Sequence, residues 1–177
     1  NFLATIATLN SFFDLDKLSK KIFLDFKLPE GRGDISKLKL GKKLINFIDE
    51  SYNSNPLSLK TALKNFGNLK LSKVKKHILL GDMLELGHHS VSQHYKLGEI
   101  INKLDIDKVH IIGRDIKKTY QQLKNNKKGL VLNKTFEINN LINKELSNND
   151  YLMIKGSNST GLNKASQILK KGRLNAL

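Results

Sequence analysis

From Gly41 onward, five short apolar runs alternate with stretches whose apolar residues recur at helical spacing, and this alternation limits the fold more than any other property of the chain. The runs are Leu44 to Ile48, His77 to Leu80, Val109 to Ile112, Gly129 to Leu132 and Leu152 to Ile154. Helical patterns cover about Pro56 to Asn65, Ser90 to Leu104, Ile116 to Leu123, Glu137 to Leu146 and Gly161 to Lys171. Short continuous apolar strands are what a parallel sheet requires when helices cover both faces. The spacing predicts an α/β fold: a doubly wound, mostly parallel, Rossmann-like sheet of five or six strands. A chain of 177 residues is long enough to bury such a core.

The first thirty residues differ in texture. Asn1 to Phe13 are apolar at helical spacing and Asp16 to Phe26 repeat the pattern, so two helices are expected there. Leu28-Pro29-Glu30-Gly31-Arg32-Gly33-Asp34 breaks any regular element and reads as a linker. The expected organisation is a short helical segment over 1–30 and an α/β domain over 31–177. The first residue is Asn rather than Met, which implies a sequence that begins partway through a longer chain.

With no cysteine, disulfide frameworks, thiol nucleophiles and thiolate metal sites are excluded, and a cytoplasmic setting is expected. No apolar run approaches the ~20 residues that span a bilayer, and the first residues lack the basic region of a signal peptide. No membrane association is expected. The formal charge of +15 and a pI near 9.9 raise the question of nucleic acid. Yet only Arg32, Arg114 and Arg173 among the 31 basic residues are arginine, aromatics make up 7%, and nineteen asparagines accompany the lysines. Base and phosphate readers rely on arginine forks and stacking aromatics. The composition favours a solvated lysine-rich surface over a nucleic-acid face.

Ligands of such sheets bind outside the carboxyl ends of the strands, and three post-strand loops are dense in polar groups. In Asp49-Glu50-Ser51-Tyr52-Asn53-Ser54-Asn55-Pro56, Asn55 and Pro56 make an N-cap and first-turn pair, whereas the carboxylates, phenol and amides before them suit a ribose, a base edge or a peptide. The loop after His77 to Leu80 carries Asp82, Glu85, His88, His89 and His94, which are metal-ligand types without an established metal spacing. It reads instead as a loop packed by Met83, Leu84 and Leu86. Lys155-Gly156-Ser157-Asn158 opens the last helix, where backbone amides favour an anion; the Walker A order is absent. Arg32, between glycines, can reach a phosphate.

Taken in order, these segments resemble the Mur ligases. The motifs that carry the resemblance are Gly31-Arg32, Asp49-Glu50-Ser51-Tyr52-Asn53-Ser54-Asn55-Pro56, Gly81 to Gly87 followed by Ser90, His94 and Gly98, and Lys155-Gly156-Ser157. They match best the branch that adds D-alanyl-D-alanine to UDP-N-acetylmuramoyl-tripeptide in peptidoglycan precursor synthesis. The resemblance implies an ATP-dependent ligase forming an amide bond, acting as a monomer. Residues 1–30 would be the helical tail of the family's central ATPase domain and 31–177 its C-terminal domain. The N-terminal and central domains, with most of the magnesium ligands, would lie outside this sequence, leaving the chain inactive alone. It further implies ATP binding by Arg32, Glu50, Tyr52 and Asn53, dipeptide binding by Lys155, Ser157 and Asn158, and neither a catalytic residue nor a metal ligand here. The family often has an arginine and a glutamate where this chain has Asn158 and Asn163. Readings from other classes are a lysine-rich RNA-binding module and a stand-alone nucleotide-binding module.

Overall fold

The structure, a computed structural model, describes residues 2–17, 19, 21 and 29–173. From Gly41 onward, each apolar run forms a strand and each helical pattern a helix. The body comprises β1 (Asp34–Leu40), β2 (Lys43–Asp49), α2 (Pro56–Gly67), β3 (Lys76–Gly81), α3 (Ser90–Asn102), β4 (Lys108–Ile112), α4 (Lys117–Gln122), β5 (Lys128–Leu132), α5 (Ile138–Lys144), β6 (Tyr151–Lys155) and α6 (Leu162–Lys170). They follow α1 (Phe2–Asn10), whose Leu3 is exposed, as are Phe12 and Phe13 beyond its end. The second helix expected, over Asp16 to Phe26, lies mostly outside the described residues; Leu15–Lys17 form a single 3-10 turn.

The six strands lie in the order β1-β2-β6-β3-β4-β5, with β2, β6, β3, β4 and β5 mutually parallel and β1 antiparallel to β2. Alternation along each strand sends neighbouring side chains to opposite faces. Ile78 and Leu80 join Leu59, Leu63, Phe66, Leu97 and Ile101 beneath α2 and α3, while Leu79 joins Leu141, Ile142, Leu162 and Leu169 beneath α5 and α6. The sheet is therefore covered on both sides. Among the described residues, no helix is long and apolar enough to cross a membrane.

Strand β1 falls in the stretch taken for a linker and the residues after it. Its side chains alternate, with Leu38 and Leu40 buried and Ile35, Lys37 and Lys39 exposed, and the two-residue turn Gly41-Lys42 sets its register by pairing Leu40 with Lys43. Lysines facing water suit an open sheet edge, where they discourage pairing with another chain.

Several lysines do more than coat the surface. Lys43 Nζ donates to the carbonyls of Ile142, Asn143 and Leu146 at 2.9, 2.7 and 2.6 Å, closing the C-terminal end of α5. Lys76 Nζ is buried between Gly67 O at 2.9 Å and Asp105 Oδ2 at 2.7 Å. Lys127 Nζ donates to the carbonyls of Leu104 and Ile106.

Candidate functional site

Strands β2 and β3 lead to helices on one face, and β6, inserted between them, leads to α6 on the other. The chain thus peels apart on both sides of the β6 exit, which is where crevices form in doubly wound sheets. Backbones approach closely at that point. A Cβ on Gly156 would come within 3.1 Å of Gly81 Cα and 2.8 Å of Leu162 Cδ1, so glycine lets α6 start against the β3 exit. Two clefts open at this edge.

The first, of about 330 Å³, lies over the exits of β2 and β6 and is lined by Arg32, Glu50, Tyr52, Asn53, Asn55 and Lys155, among others. Gly31 and Gly33 carry positive φ angles of 75° and 92° and run alongside the β2 exit: Gly33 N donates to Asp49 O at 2.7 Å and Tyr52 N to Gly31 O at 3.1 Å. A Cβ on Gly31 would meet Tyr52 N at 2.8 Å, so this tight approach needs glycine. The result is to set the Arg32 guanidinium over the Tyr52 ring, 4.2 Å from its centroid. Glu50 stands beside them, partly open to solvent. Asn55 Oδ1 accepts from Ser58 N at 2.8 Å and Ser58 Oγ from Asn55 N at 3.2 Å, a capping box with Pro56 in the first turn of α2.

Not every polar group of this loop faces the cleft. Asp49 is 1% exposed and accepts from Lys170 Nζ at 2.6 Å and from the Ser51 hydroxyl and amide, so it ties the loop to α6. Burial opposes the charge on Lys170, but the hydrogen bonds it donates to Asp34 and Asp49 outweigh it and raise that lysine's pKa.

The residues expected to hold the dipeptide do not stay together. Lys155, 2% exposed, turns back beneath the first cleft and donates to Asn53 O at 3.0 Å, with Glu50 O and Glu50 Oε2 each at 3.4 Å. Burial lowers its pKa, an effect that Glu50 opposes and Arg32 reinforces. Ser157, 4% exposed, joins three loops: its hydroxyl accepts from Leu84 N at 2.8 Å and donates to Ser54 O at 3.3 Å, and its amide donates to Asp82 O. Of the three, Asn158 alone is exposed, next to the second cleft.

The histidines and carboxylates after β3 do not converge on one point. Asp82 accepts from Ile116 N and Arg114 N at 2.8 and 3.0 Å, holding the loop that leaves β4. The buried His94 accepts from Met83 N at Nε2 and hydrogen-bonds Ser90 O through Nδ1, which identifies the neutral Nδ1–H tautomer. His88 and His89 lie side by side in solvent, their rings tilted by 44°.

The second cleft, of about 550 Å³, runs from Asp82 at the β3 exit to Asn133, Lys134, Thr135 and Phe136 at the β5 exit, with Ser159 and Thr160 alongside. It offers a carboxylate at one end, an ammonium at the other and hydroxyls between. No motif marks the 133–136 segment, whose Asn, Lys and Thr match the chain's general composition; only its place after a strand could have drawn notice. Asn55 and Ser58 of the first cleft were likewise hidden behind their capping role.

The Mur ligase, glutamate ligase domain model matches residues 36–158. The UDP-N-acetylmuramoyl-tripeptide–D-alanyl-D-alanine ligase of Buchnera aphidicola is 34% identical over 125 residues, covering 70% of this chain and 26% of that protein. The ligase of the same name from Treponema pallidum is 26% identical over 132 residues, covering 73% and 28%. Among solved structures, the MurF ligase of Thermotoga maritima in complex with ADP superposes with a TM-score of 0.68 at 22% identity, over 98% of this chain and 37% of that one. The chain thus spans between a quarter and a third of the length of these curated relatives. With the ordered motifs, the six-stranded sheet and a family model covering most of its length, the chain belongs to the Mur ligase family, as that family's C-terminal, glutamate ligase domain.

Proposed function

We propose that this domain serves an ATP-dependent ligase joining D-alanyl-D-alanine to UDP-N-acetylmuramoyl-tripeptide in the cytoplasm. The observation that carries the reading is the first cleft, where Arg32 stacked on Tyr52 stands beside Glu50 and Asn53. Arg32 suits a nucleotide phosphate, Glu50 the ribose hydroxyls, and Tyr52 and Asn53 the adenine edge. In the reaction, ATP phosphorylates the tripeptide carboxylate, the dipeptide amine attacks the acyl phosphate, and phosphate leaves as the amide forms. No three His, Cys, Asp or Glu side chains gather as metal ligands among the described residues. By family resemblance, magnesium would rest mainly on a central domain, to which residues 1–30 would belong as a helical tail.

The dipeptide is a zwitterion, and the second cleft has the matching polarity. Its amine would lie toward Asp82, the end nearer the nucleotide, and its carboxylate toward Lys134 and the hydroxyls of Thr135, Ser159 and Thr160, with Asn158 at the rim. The domain's contribution is positioning and charge stabilisation, without a covalent nucleophile. The test is phosphate release by the chain assembled with the N-terminal and central portions of such a ligase. Release is expected only with ATP, the muramoyl-tripeptide and D-alanyl-D-alanine together; equal turnover with free D-alanine would refute the reading.

A further inference from the structure

The ammonium of Lys155 has three protons to donate, and all three oxygens within its reach belong to one loop: the carbonyls of Asn53 and Glu50 and the Glu50 carboxylate. The side chain is 2% exposed, so it presents no free donor to a ligand. Burying an ammonium is expensive, and a side chain that only filled space here would do so better without charge. What the charge adds is direction. It draws two backbone carbonyls and one carboxylate of residues 50–53 to a single point, and those residues carry Glu50, Tyr52 and Asn53 into the first cleft. Tyr52 in turn supports Arg32.

We infer that Lys155 is a positioning residue, a brace from the end of β6 that fixes the 50–53 loop in the shape that receives a nucleotide, and that it does not itself touch a substrate. The nucleotide half of this inference rests on the function proposed above; the brace does not. Two readouts separate them. The first is amide hydrogen exchange in the ligand-free chain at Ser51 and Tyr52, whose amides donate to Asp49 and Gly31. The second is ADP binding followed by NMR titration.

In Lys155→Met, exchange at Ser51 and Tyr52 is expected to quicken about 10-fold or more, with ADP affinity weakened about 10-fold, while exchange in β4 stays unchanged. Lys155→Arg should recover part of both effects. Lys43→Met, which removes a lysine from carbonyls at the end of α5, should alter neither. Lys155→Gln, which keeps an NH2 donor group without the charge, reports the same exchange change if the methionine variant fails to fold. Weakened ADP binding with unchanged exchange would make Lys155 a direct ligand contact and overturn the brace; unchanged exchange and unchanged binding would overturn it as well. Faster exchange in a chain whose wild type binds no ADP would leave the brace standing and remove the nucleotide reading.

Discussion

His77 and His110 are buried side by side within the sheet, 5.4 Å apart and nearly parallel, with His77 Nδ1 3.1 Å from His110 Nε2. Leu130 N donates to His110 Nδ1 at 2.9 Å, so that nitrogen carries no proton; His110 Nε2–H then donates to His77, whose own proton points at Asp150 Oδ2, 3.6 Å away. Burial, with His77 nearby, lowers the His110 pKa from 6.5 to about 3, and burial lowers that of His77 despite the opposing pull of Asp150. Between those values the unfolded chain binds a proton that the folded chain refuses. Stability is full above pH 6.5 and falls as the pH drops toward 3. Each pH unit in that window costs about 1.4 kcal/mol for His110, or about 2 kcal/mol between pH 6.5 and 5, a large share of an ordinary domain's stability. His77 adds to the loss. The perturbation is His110→Gln, whose amide can accept from Leu130 N and donate to His77 without titrating. Urea unfolding at pH 7, 6 and 5, followed by circular dichroism, should show the variant losing about 2 kcal/mol less than the wild type across that range. Titrating groups away from this pair are common to both proteins and cancel in the difference. Parallel pH profiles would refute the buried neutral pair.

Arg32→Lys replaces a stacked planar fork with a point charge on an exposed side chain; ADP affinity is expected to fall about 10-fold while the urea midpoint stays put, a split that titration and unfolding together check. Asn55→Ala removes the α2 cap and should cost about 1 kcal/mol in urea unfolding, without the acid dependence expected at His110.

The parallel strands were legible because a strand covered on both faces is mostly apolar, as in Ile78 to Leu80 and Leu152 to Ile154. Strand β1 was not, because only Leu38 and Leu40 face the core and its lysines look like surface. The cap at Asn55 was local and so was written in adjacent residues. Asp49 looked like an open carboxylate because its partner Lys170 lies on the last helix. Lys155 and Ser157 looked like one anion-binding unit because they are neighbours in sequence, yet both turn back onto the loop after β2, at Asn53 O and Ser54 O, and Ser157 also holds the loop after β3. Contacts between residues far apart in the chain leave no local pattern, and the second cleft is built from four loops that are separate in sequence.

Strand β6 is nearly the last element made, yet it occupies the middle of the sheet, and Lys155 meets Glu50 across 105 residues of chain. During synthesis, β2 and β3 emerge early and wait with bare edges until Tyr151 to Lys155 arrive to join them. Closing loops of that length is slow, and the unpaired edges of β2 and β3 are what a chaperone would have to shield in the interval. A chain that ended before Tyr151 would leave one edge each of β2 and β3 unpaired and would lack Lys155, Ser159 and Thr160, which line the two clefts.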